Sequence, residues 1–222
     1  MRAVVLLSGG LDSTVALWWA LRRGWKCRTI SFDYGQRHNN EIKNAKALAK
    51  KARVPWDLIR FTLPWSGSSL TNKASKLPHR AVEKIPASIP STYVPGRNTL
   101  FLSFAMSYAD QIEAEAIVIG ANAIDYSGYP DCRWPYLKAF QRVAKLGTRM
   151  GAEKKRNIVV HAPLINLTKA GIVKLGLKVG APLEKTWSCY KGGRRPCGQC
   201  DSCVLRAKGF AEAGIVDKSL RR

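Results

Sequence analysis

Arg2-Ala3-Val4-Val5-Leu6-Leu7-Ser8-Gly9-Gly10-Leu11-Asp12-Ser13-Thr14 is the stretch that decides the fold. Arg2 to Leu7 is an apolar run that reads as a strand, and it stops at Ser8-Gly9-Gly10. From Ser13, apolar residues recur at helical spacing up to Arg23, and Gly24 closes the helix. An open α/β sheet places its ligand where such a strand end meets a helix start. Glycines let the backbone approach phosphate oxygens, and the helix N-terminus offers amides and the positive end of its dipole. No Gly-Lys-Ser/Thr follows, so this is not a Walker A loop, and the three-glycine dinucleotide fingerprint is also absent. An ordinary Gly-Gly turn is the alternative; Asp12 beside Ser13 favours a phosphate site that also holds Mg²⁺.

Outward from this stretch, Cys27 to Phe32 reads as a second buried strand and Asn39 to Ala52 as a helix with Ile42, Ala45, Leu48 and Ala49 on its inner face. Trp56 to Phe61 is a third strand. Pro64 to Thr92, rich in proline and serine, is an excursion or lid loop. Thr99 to Asp110 forms an apolar helix, and Ala116 to Ile119 a short strand that ends in Gly120-Ala121-Asn122. Ala139 to Met150 is a basic helix and Ile158 to His161 a last strand. Thr168 caps a helix that runs to Val179 and stops at Gly180. A short helix from Val204 to Ala213 closes the chain. Strands alternating with helices predict an α/β fold with a doubly wound parallel sheet. The composition shift near Trp187 predicts an ATP- and substrate-binding domain over 1–183 and a C-terminal metal module over 184–222.

The chain has 222 residues, 46% of them hydrophobic and 23% charged, which suits one sizeable globular domain with a small appendage and excludes disordered and fibrous classes. No apolar stretch approaches a membrane span, so a soluble, cytoplasmic protein is expected. The 37 Lys and Arg against 15 Asp and Glu leave a net charge of +22. An anionic partner, tRNA included, would suit such a surface, as would plain solvation; a phosphate-bearing small substrate needs only a few of these charges.

Cys189, Cys197, Cys200 and Cys203 stand at Cys-x7-Cys-x2-Cys-x2-Cys spacing. The tight Cys-Gly-Gln-Cys knuckle lets neighbouring thiolates face one tetrahedral ion, and the pattern fits structural Zn²⁺. An iron–sulfur cluster is the rival, although the ferredoxin x3-Cys-Pro continuation is missing. Cys27, alternating within a strand, belongs to the core. Arg97, after a Pro-Gly turn, is placed to contact phosphate or a substrate carboxylate, and Asn98 to cap the helix that follows. Asp125, Tyr126, Tyr129, Asp131 and Arg133 crowd behind the Gly120-Ala121-Asn122 strand end, a loop able to bind a flat polar ring. His38 is a candidate proton carrier; His79 is assigned to the surface and His161 to a strand.

The signature SGGLDS after a first strand resembles the pyrophosphate loop of the N-type ATP pyrophosphatases, whose members adenylate substrates and release pyrophosphate. With it come DYGQRH at 33 to 38, YVPGRN at 93 to 98, GANAIDYSGYPDCR at 120 to 133, TWSCY at 186 to 190 and PCGQCDSCVLR at 196 to 206. Together these resemble the 7-cyano-7-deazaguanine synthase family over nearly the whole chain. The resemblance implies an adenine-nucleotide α-hydrolase-like fold and a ligase that uses ATP, Mg²⁺ and ammonia to turn 7-carboxy-7-deazaguanine into a nitrile. It implies nucleotide contacts from Leu7, Ser8, Gly9, Gly10, Leu11, Asp12, Ser13 and Thr14, with Asp12, Ser13 and Arg97 at the chemistry. Substrate contacts would come from Arg97, Asn98, Asp125, Tyr126, Asp131 and Arg133, with either Asp125 or Asp131 reading the base. A homodimer and a product feeding queuosine or archaeosine complete the expectation. A tRNA-modifying adenylase and a nucleic-acid-binding zinc module are the competing classes, and neither accounts for all of these motifs.

Overall fold

The computed structural model describes residues 1–65, 67–72, 74–78, 89–122 and 128–221. Five strands form one parallel sheet: β1 (Arg2–Leu6), β2 (Lys26–Asp33), β3 (Trp56–Arg60), β4 (Ala116–Val118) and β5 (Val159–His161). Their order is β3-β2-β1-β4-β5, so the chain reverses direction across the sheet between β1 and β4. Parallel strands covered on both faces read as continuous apolar runs, and four of the five β1 residues are buried. Val4 and Leu6 enter one apolar layer with Leu102, Leu137 and Val160; Ala3, Val5 and Leu7 enter the other with Val15, Leu48 and Ile172.

The first layer is covered by α3 (Arg97–Gln111) and α4 (Trp134–Gly147), the second by α1 (Leu11–Leu21), α2 (Asn40–Ala52) and α6 (Lys169–Val179). This is the doubly wound arrangement that the alternation predicts. Helix α1 buries Leu11, Ser13, Thr14, Val15, Ala16, Leu17 and Ala20, whereas α2 buries only Ala45, Leu48 and Ala49 and turns a basic face to solvent. The Thr168 hydroxyl accepts the Gly171 amide at 3.1 Å to start α6, and Gly180 at φ 75° ends it. Helix α7 (Asp201–Glu212) packs on α6 and delivers Phe210 to the second apolar layer.

Helix starts differ from the sequence reading for identifiable reasons. The basic helix begins at Trp134 because Pro135 suits a first turn, and it stops at Gly147; Thr148 then caps a separate turn, α5 (Arg149–Ala152), accepting the Gly151 amide at 3.1 Å. Helix α7 starts at Asp201, directly after the Cys-Gly-Gln-Cys turn. Helix α3 is capped not by Asn98, which lies inside it, but from outside by Asp131, whose Oδ2 accepts the Asn98 amide at 3.0 Å. The described parts of the 64–92 excursion are tied down: Arg37 donates to the carbonyls of Ser69 at 2.6 Å, Asn72 at 2.8 Å and Ser75, and Leu70 is buried.

Candidate active site

The reversal between β1 and β4 opens a crevice at the carboxyl ends of the strands, and there lies a cavity of about 310 Å³. Its floor is the loop from Ser8 to Ser13. The Ser8 and Ser13 hydroxyls meet at 2.9 Å, Ser13 Oγ accepts the Ser8 amide at 3.1 Å, and Thr14 Oγ1 donates to the Gly10 carbonyl at 2.7 Å. Gly9 sits at φ 87°, and a Cβ there would lie 2.1 Å from the Glu41 carbonyl oxygen, so α2 presses on the loop at a point only glycine tolerates. A Cβ on Gly120 would stand 2.8 Å from the Ser13 amide nitrogen. The ends of β1 and β4 thus close directly onto the start of α1.

Lys169, first residue of α6, reaches into this floor. Its Nζ lies 3.0 and 2.8 Å from the two carboxylate oxygens of Asp12. Asp12 therefore faces the cavity as half of an ion pair, and the same cavity is lined by Arg97 and Asn98. The Arg97 guanidinium donates to Tyr34 Oη at 3.3 Å and lies over the rings of Phe101 and Tyr129. Burial would lower its pKa, but Tyr34 and Tyr129 hold it up, so it stays cationic. Glu41, half-buried in the wall, has its carboxyl pushed up to about 7 by burial, against the opposing pull of Arg97.

The remaining predicted residues fall in different places. Tyr129 and Cys132 line the cavity, and burial raises the Cys132 thiol to about 11. Asp131 is buried beneath α3 as its cap and is not among the lining residues; Arg133 is exposed at the start of α4. Asp125 and Tyr126 lie outside the described residues, as does His79. His38 packs against Gly192 with a buried Nδ1 that has no hydrogen-bond partner among the described residues, and burial lowers its pKa; it is not among the residues that line the cavity.

The sulfurs of Cys189, Cys197, Cys200 and Cys203 all lie within 4.8 Å of one another. A tetrahedral zinc–thiolate site, with bonds of about 2.3 Å, has sulfurs about 3.8 Å apart. Backbone amides of Lys191, Cys197, Gln199 and Cys200 point at the Cys189 and Cys197 sulfurs from 3.3 to 3.5 Å, the charge-offsetting pattern that thiolate ligands need. Without a cation the four sulfurs cannot all ionise: hydrogen bonds from its neighbours favour the thiolate at Cys189, while Cys200 and Cys203 are pushed up. The donor set fits a soft-ligated dication such as zinc. This module also walls the cavity, through Ser188, Tyr190, Asp201 and Ser202.

Residues 2–214 match the family described as queuosine biosynthesis protein QueC. The chain belongs to the QueC family. A relative from Thermoplasma acidophilum named 7-cyano-7-deazaguanine synthase is 53% identical over 216 residues, covering 97% of this chain and 90% of that one. Another of the same name from Nostoc punctiforme is 52% identical over 220 residues and covers 98% of each. NMN synthetase from Francisella tularensis is similar in structure, with a TM-score of 0.48 and 19% identity over 98% of this chain and 73% of that chain.

Lys169 and Glu41, both lining this cavity, escape the sequence reading. Lys169 follows the Thr168 cap, a signal for a helix start but not for what that start faces. Glu41 carries the ordinary signature of an acidic first-turn residue on a surface helix, and only the docking of α2 on Gly9 brings it inward.

Proposed function

We propose that this QueC protein converts 7-carboxy-7-deazaguanine and ammonia into 7-cyano-7-deazaguanine at the expense of ATP. The observation that carries the reading is the cavity at the β1–β4 reversal, where a glycine loop, Lys169 and Arg97 converge beside walls able to take a flat ring. A carboxylate does not acylate ammonia unaided. Its oxygen attacks the α-phosphorus of ATP, pyrophosphate leaves, and ammonia displaces AMP to give an amide. The amide oxygen attacks a second ATP in the same way, and loss of AMP with the amide protons leaves the nitrile.

The residues divide this work by charge. The amides of the Ser8–Ser13 loop and the N-terminus of α1 cradle the departing pyrophosphate, with Lys169 and Arg97 adding fixed cations. Mg²⁺ bound with the nucleotide would supply further neutralisation, with Asp12 among the residues that would hold it. Glu41 is placed to take the proton released when ammonia attacks. Stacking by Tyr129 suits the deazapurine face, and Asp125 remains a candidate reader of its amino edge. The four-thiolate module holds zinc structurally. We further propose a cytoplasmic homodimer whose product feeds queuosine or archaeosine, in line with the family resemblance. Mass spectrometry of a reaction containing 7-carboxy-7-deazaguanine, ammonium and ATP tests the reading: nitrile with one AMP for each adenylation is expected, and ADP or no nitrile overturns it.

A further inference from the structure

The segment Thr186-Trp187-Ser188 has no role in the chemistry above, yet it is held with unusual completeness. Arg206 on α7 is 5% exposed and spends all its donors. Its Nε and Nη2 bind the Asp217 carboxylate at 2.6 and 3.1 Å, Nη1 reaches Thr186 Oγ1 at 2.7 Å and Ser188 Oγ at 3.1 Å, and Nη2 also reaches the Leu183 carbonyl at 3.1 Å. The segment is pinned at its other side as well, because the Trp187 amide donates to the Gly9 carbonyl at 2.9 Å. The Trp187 carbonyl lies 3.4 Å from where a Gly10 Cβ would stand.

The two hydroxyls on this segment differ in one respect. Thr186 accepts from Arg206 and passes its own proton to the Leu183 carbonyl at 2.6 Å, so it is fully spent. Ser188 accepts from the same guanidinium, which cannot accept in return, and among the described residues its proton has no acceptor. The side chain is half-buried and lines the cavity. A hydroxyl backed by a cation and emerging beside a phosphate-binding loop is a directed donor for an anionic oxygen.

We propose that Ser188 donates a hydrogen bond to a phosphoryl oxygen in the pyrophosphate half of the bound nucleotide, with Arg206 and Asp217 as positioning residues that hold it there. This rests on the ATP-using reading above. It gives the TWSCY motif a task separate from metal ligation.

The test is calorimetric titration of metal-loaded wild type, Ser188→Ala and Ser188→Thr with three probes: the Mg²⁺ complex of a non-hydrolysable ATP analogue, AMP, and 7-carboxy-7-deazaguanine. Ser188→Ala is expected to weaken the triphosphate by about tenfold, as loss of a hydrogen bond to a charged group does. AMP and the deazaguanine should bind unchanged, and Ser188→Thr should restore most of the loss. Arg206→Lys, which keeps the charge but loses the fork, should mimic Ser188→Ala and add nothing to it in the double variant. Unchanged triphosphate affinity in Ser188→Ala overturns the proposal, as does equal weakening of all three probes, loss confined to the carboxylate substrate, or a metal content below wild type. Absence of nucleotide binding by the wild type would overturn the ATP reading with it, whereas equal binding by wild type and Ser188→Ala overturns only the role of Ser188.

Discussion

At the level of single residues, the pairing of Asp12 with Lys169 changes what the glycine loop is expected to do. A lone Asp12 would be a metal ligand or a repulsive charge beside phosphate; paired with Lys169 across both oxygens, it fixes a cation beside the Ser8–Ser13 loop, where the proposed reaction would release pyrophosphate. Lys169→Met should lower turnover about 100-fold or more, the scale on which one fixed transition-state donor acts, while circular dichroism stays native. Asp12→Asn and Ser13→Ala should also lose turnover with the fold intact, and pyrophosphate release at the wild-type rate in these variants would exclude the loop from the chemistry. Asp12→Asn combined with Lys169→Met should cost less than the two losses multiplied, because each variant disrupts the same pair. The sequence displays Asp12 and Ser13 openly, since they lie in one continuous stretch. It conceals Lys169, because the ion pair spans 157 positions of chain. It misleads at Asp131, whose surroundings of Gly, Pro and Tyr look like an exposed loop, although the carboxylate is 5% exposed and spent on a helix end.

At the level of elements, what local signals encode is what the sequence shows. β1, its glycine turn, the Thr168 cap and the Gly180 stop are each written in a few adjacent residues, and each stands where expected. The start of α4 at Trp134 was equally local, carried by Pro135, and the periodicity of the residues after it masks that signal. The four-cysteine spacing was legible as a candidate metal site. That the same segment walls the cavity was not, because Ser188, Tyr190, Asp201 and Ser202 meet the Ser8–Ser13 loop only through packing between residues far apart in the chain. Cys200→Ser removes one of the four clustered thiols while leaving a residue suited to the N-cap of α7. The variant should bind less than one metal per chain, lose soluble yield, and lose nucleotide affinity with the metal. A colourless wild-type protein with zinc by elemental analysis is the expected reference; stoichiometric iron with a visible absorption band would replace zinc in that module.

Across the whole molecule, charge and pH set the stability. Among the described residues no helix is long and apolar enough to cross a membrane. The net charge of +22 is spread over a surface where Arg2, Arg149, Lys154 and Arg156 all gather at Glu113. Such an excess repels itself, so raising ionic strength from a low value should raise the melting temperature. Acid should lower it through His161 and Asp217 in turn, while Glu41, whose carboxyl burial raises to about 7, works in the opposite direction between about pH 7 and 4.5. His161 packs against Trp19 and Trp25 with a buried Nε2 that has no hydrogen-bond partner among the described residues, and burial lowers its pKa below 6.5. The unfolded chain therefore takes up that proton first, and stability falls as the pH drops below 6.5. Burial would raise Asp217, but Arg206 and Ser219 more than offset this and hold it below 3.8; its contribution is present at neutral pH and is lost as the pH falls through that lowered value. Thermal melts between pH 8 and 3 should show both declines, and His161→Phe should reduce only the upper one, leaving the share of His38, whose pKa burial also lowers.

The hydrogen bond from the Trp187 amide to the Gly9 carbonyl joins a residue two positions before Cys189, a candidate metal ligand, to the Ser8–Ser13 loop proposed to hold phosphate. Any coupling of two ligands through such a strut acts equally in both directions. A nucleotide that tightens the loop would raise the affinity for the metal, and a chain stripped of metal would bind nucleotide more weakly by the same factor. Competition for zinc with a coloured chelator, brought to equilibrium with and without the ATP analogue, measures one direction, and titration of the stripped protein measures the other. Less zinc on the chelator with nucleotide present is expected. The enzyme would then be hardest to inactivate by chelation when ATP is plentiful and most exposed to it when ATP runs low.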